Sequence, residues 1–184
     1  MKKYIFTLIA ATTLLSGCSD IFEKQFDIYE EATEKLEDTK TLPDLLDMAI
    51  QTEKDIASTI ASATEEVWNE LKEDYKTGYE IMLDSVETVR NRYFSDVDKI
   101  YNSHIMHFVE KRTILYSKVS EAFNSAKNTE EVSALNDFLK SYSAKAYIYG
   151  QRACDPPQEI INKYNAAKAQ AKQNYEEALV RLGK

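Results

Sequence analysis

The stretch "HIMHFVE", His104 to Glu110, holds the only two histidines in the chain. At a spacing of i, i+3 on a helix the two imidazoles share one face, with Glu110 one step further along. Imidazole nitrogens and carboxylate oxygens are zinc ligands, so His104 and His107 form the candidate metal pair. The bundle di-iron motif requires Glu three residues before each ligating histidine, and Tyr101 and His104 stand in those places instead. His104 also falls on the apolar stripe of its segment. Packing and hydrogen bonding therefore have first claim on both rings.

A second candidate is Tyr147, Tyr149 and Arg152, beside Cys154 and Pro156-Pro157. Aromatic rings with a guanidinium suit an edge on which a glycan or a peptide stacks. Tyrosine at helical spacing is more often core with its hydroxyl at the rim, and that is the weightier reading here. The acidic run from Glu30 to Asp38 lacks the Asp-x-Asp-x-Asp-Gly order of a calcium loop and reads as a solvated helix face. The chain has no glycine-rich phosphate loop, G-x-S-x-G elbow or H-E-x-x-H motif. We expect a non-enzymatic protein with no cofactor.

The residue with the most specific chemistry stands at the start. Met1-Lys2-Lys3 leads into the uncharged, mostly apolar run Tyr4 to Leu15, too short for a bilayer span of roughly 20 residues. A positive start, a short apolar core and small residues before a boundary have the form of a secretory signal. The boundary Leu15-Ser16-Gly17-Cys18 resembles the lipobox of bacterial lipoproteins. That resemblance implies cleavage before Cys18, acylation of its sulfur, and attachment to the lipid bilayer by the acyl chains. Ser19 rather than aspartate follows the cysteine, which under the enteric sorting rule implies the outer membrane, facing the periplasm or the cell surface. Together with the helical pattern below, the chain resembles the small helical lipoproteins of Bacteroidetes. The resemblance is specific only over residues 1–18.

Loss of residues 1–17 removes Lys2 and Lys3 and no acid, moving the net charge from −8 to −10. Such a chain is a poor partner for nucleic acid, whose phosphates require Lys and Arg, and for anionic lipid as a flat support. With Cys18 acylated, Cys154 has no intramolecular disulfide partner. The glycines and prolines of the mature part are Gly78, Gly150, Gly183, Pro43, Pro156 and Pro157. Strand-rich folds need more turn residues than that.

Apolar residues recur at steps of three and four almost throughout. Ile21, Phe22, Phe26, Tyr29, Ala32 (or Thr33) and Leu36 line a first helix ending near Thr39-Lys40. Thr41 then caps a second, with Pro43 and Asp44 in its first turn. From Leu42 to Ala126 the stripe hardly stops, and one helix of that length would reach roughly 130 Å. It must fold back, and Ser62–Glu65, Gly78 and Ser95–Asp98 are the candidate breaks. Asn128, three residues before Glu131, caps a further helix whose inner face is Val132, Leu135, Phe138, Leu139, Tyr142, Ala146 and Tyr149. After the loop Gly150–Glu159, the last helix runs through Ile161, Tyr164, Ala171, Tyr175, Leu179 and Leu182.

These features predict an all-α protein, an elongated bundle of four to six helices, mostly up-and-down. Residues 1–17 are the signal peptide, 18–25 a lipidated tether and 26–184 a single helical domain. The functional expectation is a membrane-tethered envelope module that binds another envelope protein or itself. The alternatives are capture of a glycan or peptide, and metal binding.

Overall fold

The computed structural model describes residues 19–63, 76–148 and 156–183. These form six α-helices and no strand, so the protein is an all-α bundle. The helices are α1 (Ser19–Lys35), α2 (Leu42–Ala61), α3 (Lys76–Ser103), α4 (Phe108–Asn124), α5 (Thr129–Ile148) and α6 (Gln158–Arg181), with a short 3₁₀ turn, Leu36–Asp38, after α1.

Local chemistry sets most of the boundaries. The Thr39 hydroxyl and N–H both donate to Leu36 O, at 2.7 and 3.1 Å, and close the 3₁₀ turn. Thr41 and Asp44 then form a reciprocal capping box, with Pro at the start of α2. The Asp44 N–H donates to Thr41 Oγ1 at 3.3 Å, and the Thr41 N–H to Asp44 Oδ2 at 3.2 Å. At the start of α5 the Glu131 N–H donates to Asn128 Oδ1 at 2.8 Å, as the spacing predicts.

Two of the expected breaks lie inside α3, where Gly78 and Ser95–Asp98 are helical. At the third, α2 ends at Ala61 with Ser62 as its cap, and Thr64 and Glu65 lie outside the described residues. The fold-back that the sequence does not mark is at His104–His107, where the stripe runs on without a Gly or Pro. It is stabilised from a distance: Lys111 Nζ donates to Tyr101 O at 2.8 Å, satisfying a carbonyl in the last turn of α3. A cation at a helix C-terminus also suits the macrodipole.

Contacts between helices fix their directions. Lys118 meets Asp47 at 2.7 Å and Lys54 meets Ser125 at 2.8 Å, so α2 and α4 run parallel. Tyr142 and Lys145 both reach Asp98, and Tyr101 packs edge-on to Tyr142, so the C-terminal turns of α3 and α5 meet. Tyr116 faces Tyr164 and Phe123 faces Tyr175, which aligns α4 with α6. The described turns after α1, α3 and α4 reverse the chain, so α1, α3 and α5 run one way and α2, α4 and α6 the other. The most extensive pairings are α4 with α6, α1 with α3, and α2 with α5, while α2 also touches α1, α3 and α4.

Aromatic side chains make much of the core. Tyr93, Tyr101, Tyr142 and Phe123 are fully buried among Leu42, Leu45, Leu46, Leu115 and Leu135. These tyrosines are core, as expected, but the Tyr93 hydroxyl is enclosed and not at the rim. The inner face of α5 is as expected from Val132 to Ala146, with Tyr149 outside the described residues. In α6 the fully buried side chains are Ala171, Asn174 and Ala178, and the larger Tyr175, Leu179 and Leu182 pack only partly against the core. Small residues let α6 lie close on α4, where Asn174 Nδ2 donates to Ser120 O and Oγ at 3.0 and 2.9 Å.

One boundary is corrected. Residues 18–25 were expected to form a tether, but α1 begins at Ser19, and Ile21, Phe22 and Gln25 are buried. These apolar side chains are the first rungs of α1's core stripe, and burying them fixes the helix against α3.

Candidate functional site

The two histidines do not share a helix face. His104 lies just beyond the end of α3, and His107 is the N-cap of α4, with extended backbone (φ −60°, ψ 138°). Its Nδ1 accepts the Val109 N–H at 3.2 Å, and its ring stacks on Phe108 at 4.7 Å between centroids. The i, i+3 geometry on which the metal pair rested is lost because the chain turns there to start α4. His104 Nε2 and, two residues before it, Asn102 Oδ1 are enclosed and have no hydrogen-bond partner. Among the described residues no group of three or more His, Cys, Asp or Glu side chains is placed to hold a metal ion.

The second candidate falls largely outside what the structure describes. Tyr149 and Arg152 lie outside the described residues, as do Cys18 and Cys154, and Tyr147 is described only as a helical position in the last turn of α5. The neighbouring turns are tied by charge. Lys145 Nζ lies 2.6 and 2.8 Å from the two Asp98 oxygens, and the Tyr142 hydroxyl donates to Asp98 Oδ1 at 2.9 Å. Burial, with the Asp98 carboxylate alongside, pushes the Tyr142 hydroxyl far above its usual range. Arg112 Nε donates to Ser143 O at 3.0 Å. Lys111 is buried, stands 4.7 Å above the Tyr101 ring, and has its pKa lowered by desolvation.

Two polar centres escaped the sequence analysis. The first joins α2 to the start of α5. Glu131 is 1 % exposed, with Oε1 accepting from Ser58 Oγ at 2.5 Å and Oε2 from Lys127 N at 3.1 Å, and the buried Lys54 ammonium 3.9 Å away. Every partner is internal, which makes this a fixed structural joint.

The second lies where α1, α2 and α3 meet. Glu53 Oε1 and the Tyr93 hydroxyl are enclosed and without hydrogen-bond partners. The Tyr29 and Tyr93 rings lie 5.6 Å apart there, and Arg90 sits 5.3 Å above Phe94. Burial raises the Glu53 carboxyl from 4.5 to about 7, against the pull of Arg90. Burial also pushes Tyr29 up to about 12, with the Glu53 charge adding to it. This centre can hold or release one proton near neutrality, inside the core. A signal was present. The stripe Leu45, Ala49, Ile56 skips a step at Thr52-Glu53, and its continuation Phe108, Leu115 skips one at Lys111. At both gaps a charged residue has the helical phase of the core.

No helix among the described residues is long and apolar enough to cross a membrane. Comparison with protein-family models, with curated proteins and with solved structures gives no match.

Proposed function

We propose that this protein is a membrane-tethered lipoprotein of the cell envelope, acylated on Cys18, whose helical bundle serves as a non-enzymatic interaction module. The observation that carries the reading is the junction of lipobox and fold. Leu15-Ser16-Gly17-Cys18 ends one residue before Ser19, where α1 begins. The apolar segment before the cysteine therefore stops where the packed domain starts. A multiply acylated cysteine there gives stable anchoring without a spanning helix. In the bundle, the most constrained charged groups are engaged with one another, as in Asp98–Lys145 and Lys54–Glu131, which supports a scaffold role for them.

The partner is another envelope protein or a second copy. The turn between α3 and α4 lies at the end of the bundle opposite Ser19 and presents Ile105, 84 % exposed. An apolar side chain so displayed is a suitable first probe. A photo-crosslinking amino acid at position 105 in intact cells should trap a discrete adduct, reduced when Cys18→Ala releases the protein from the envelope. Absence of any adduct from position 105 and from other exposed positions around the same end would contradict the interaction module. Glycan or peptide capture by Tyr147, Tyr149 and Arg152 is the second reading. It is favoured by α5 ending and α6 beginning at this same end, away from Cys18.

A further inference from the structure

Bulky aliphatic side chains are exposed at Ile60, Ile81 and Leu83, besides Ile105 and Val180. The Tyr29–Tyr93 contact sets a common level for α1 and α3. Ser19 lies ten residues before Tyr29, and Leu83 ten before Tyr93, so each is ~15 Å below that level. Lys76, where α3 begins, is ~25 Å below it, so α3 overhangs the start of α1 by ~10 Å. Thr52 lies beside the Tyr93 side chain, which puts Ile60, on the antiparallel α2, ~12 Å below the same level. Ile60, Leu83 and Ile81 thus flank the end at which Cys18 enters.

We infer that this end of the bundle, which among the described residues comprises the start of α1, the last turn of α2 and the overhanging turns of α3, is seated in the lipid bilayer interface. The inference rests on acylation of Cys18. Consecutive Cα atoms are only ~3.8 Å apart, so acyl chains on Cys18 bring Ser19 to the headgroups with no spacer to hold the domain away. An overhang of ~10 Å on the neighbouring helix then matches the ~5–10 Å depth at which apolar side chains settle in an interface. Ile81 (62 % exposed) and Leu83 (44 %) are two residues apart and project from nearly opposite sides of α3. A docked protein helix would need one stripe at steps of three or four. A medium that surrounds the helix end does not. Glu80, Asp84 and Glu87 on these and the next turn are exposed, so anionic lipid adds no attraction to the contact made by the aliphatic side chains.

The test uses the full chain, processed and purified from a bacterial host in a Cys154→Ser background, with an environment-sensitive dye on Ile81→Cys or, as control, on Gln173→Cys of α6. In phosphatidylcholine vesicles the dye at 81 should shift to the blue, at least roughly double in emission and be quenched by brominated lipid, while the dye at 173 does neither. Replacing a third of the lipid by phosphatidylglycerol should not increase the effect. Palmitate on Cys18, measured by mass, separates the two ideas. With palmitate present, an unshifted dye at 81 would overturn the seat alone, as would equal shifts at 81 and 173, which mean a domain lying flat. A shift at 81 without lipid, growing with protein concentration, would replace the bilayer by a second copy. An unacylated Cys18 would overturn anchor and seat together.

Discussion

Replacing Glu53 by Gln should stabilise the protein at high pH and leave it nearly unchanged at low pH. The carboxyl titrates at about 7 in the fold against 4.5 when exposed, because burial disfavours its charged form. A raised pKa means that the folded chain holds the proton more tightly than the unfolded chain. The stability linked to it is therefore fully present below pH 4.5 and is lost as pH rises through about 7. At ~1.36 kcal/mol per pKa unit, the shift corresponds to an upper limit of ~3.4 kcal/mol. Glu53 retains some solvent contact, and ~2–3 kcal/mol is the working figure. Gln cannot ionise and so lacks this loss. Urea unfolding of wild type and Glu53→Gln at pH 5 and at pH 8.5 gives the four free energies needed. The variant should differ from wild type by less than ~1 kcal/mol at pH 5 and exceed it by ~2–3 kcal/mol at pH 8.5. A variant destabilised equally at both pH values would refute the reasoning, because it would make Glu53 an ionised hydrogen-bonding residue rather than a buried, protonated one.

Other outcomes follow from single contacts. Glu131→Ala leaves the buried Lys54 without its carboxylate and Ser58 without its acceptor, and should cost ~3–5 kcal/mol in the same unfolding assay. Arg181 donates to the carbonyls of Phe123, Asn124 and Ala126 at the end of α4, so Arg181→Ala should cost ~1–3 kcal/mol and speed amide exchange there before it does in α1. Thr41→Ala should cost ~1 kcal/mol, and a double-mutant cycle with Asp44→Ala should show coupling, since each side chain caps the other's backbone. His107→Ala should cost ~0.5–2 kcal/mol through the lost cap on Val109, with His107→Asn recovering most of it.

How much of the fold was legible depends on how local its cause is. Thr41–Asp44 and Asn128–Glu131 are closed within four residues, and both helix starts stand where the sequence puts them. Gly78 could have ended a helix but does not, because one glycine in a helix interior costs only ~1 kcal/mol. The turn at His104–His107 has no Gly or Pro to announce it. Its cause is Lys111 reaching back to Tyr101 O and His107 capping Val109, and neither bond can be read from periodicity. The same blindness affects the polar sites. The buried state of Glu53 comes from Tyr29 and Tyr93 on two other helices, and only the gap in the apolar stripe hinted at it. The histidine pair failed as a shared face because its premise, an unbroken helix, was a tertiary question.

The claim on which the proposed function turns is the lipid on Cys18. Labelled palmitate fed to cells expressing wild type and Cys18→Ala, followed by membrane fractionation, tests it directly. Label on the wild-type protein alone, with Cys18→Ala no longer in the acylated membrane fraction, is the predicted result. A wild-type protein without label, together with a Cys18→Ala protein that still fractionates with membranes, would contradict it.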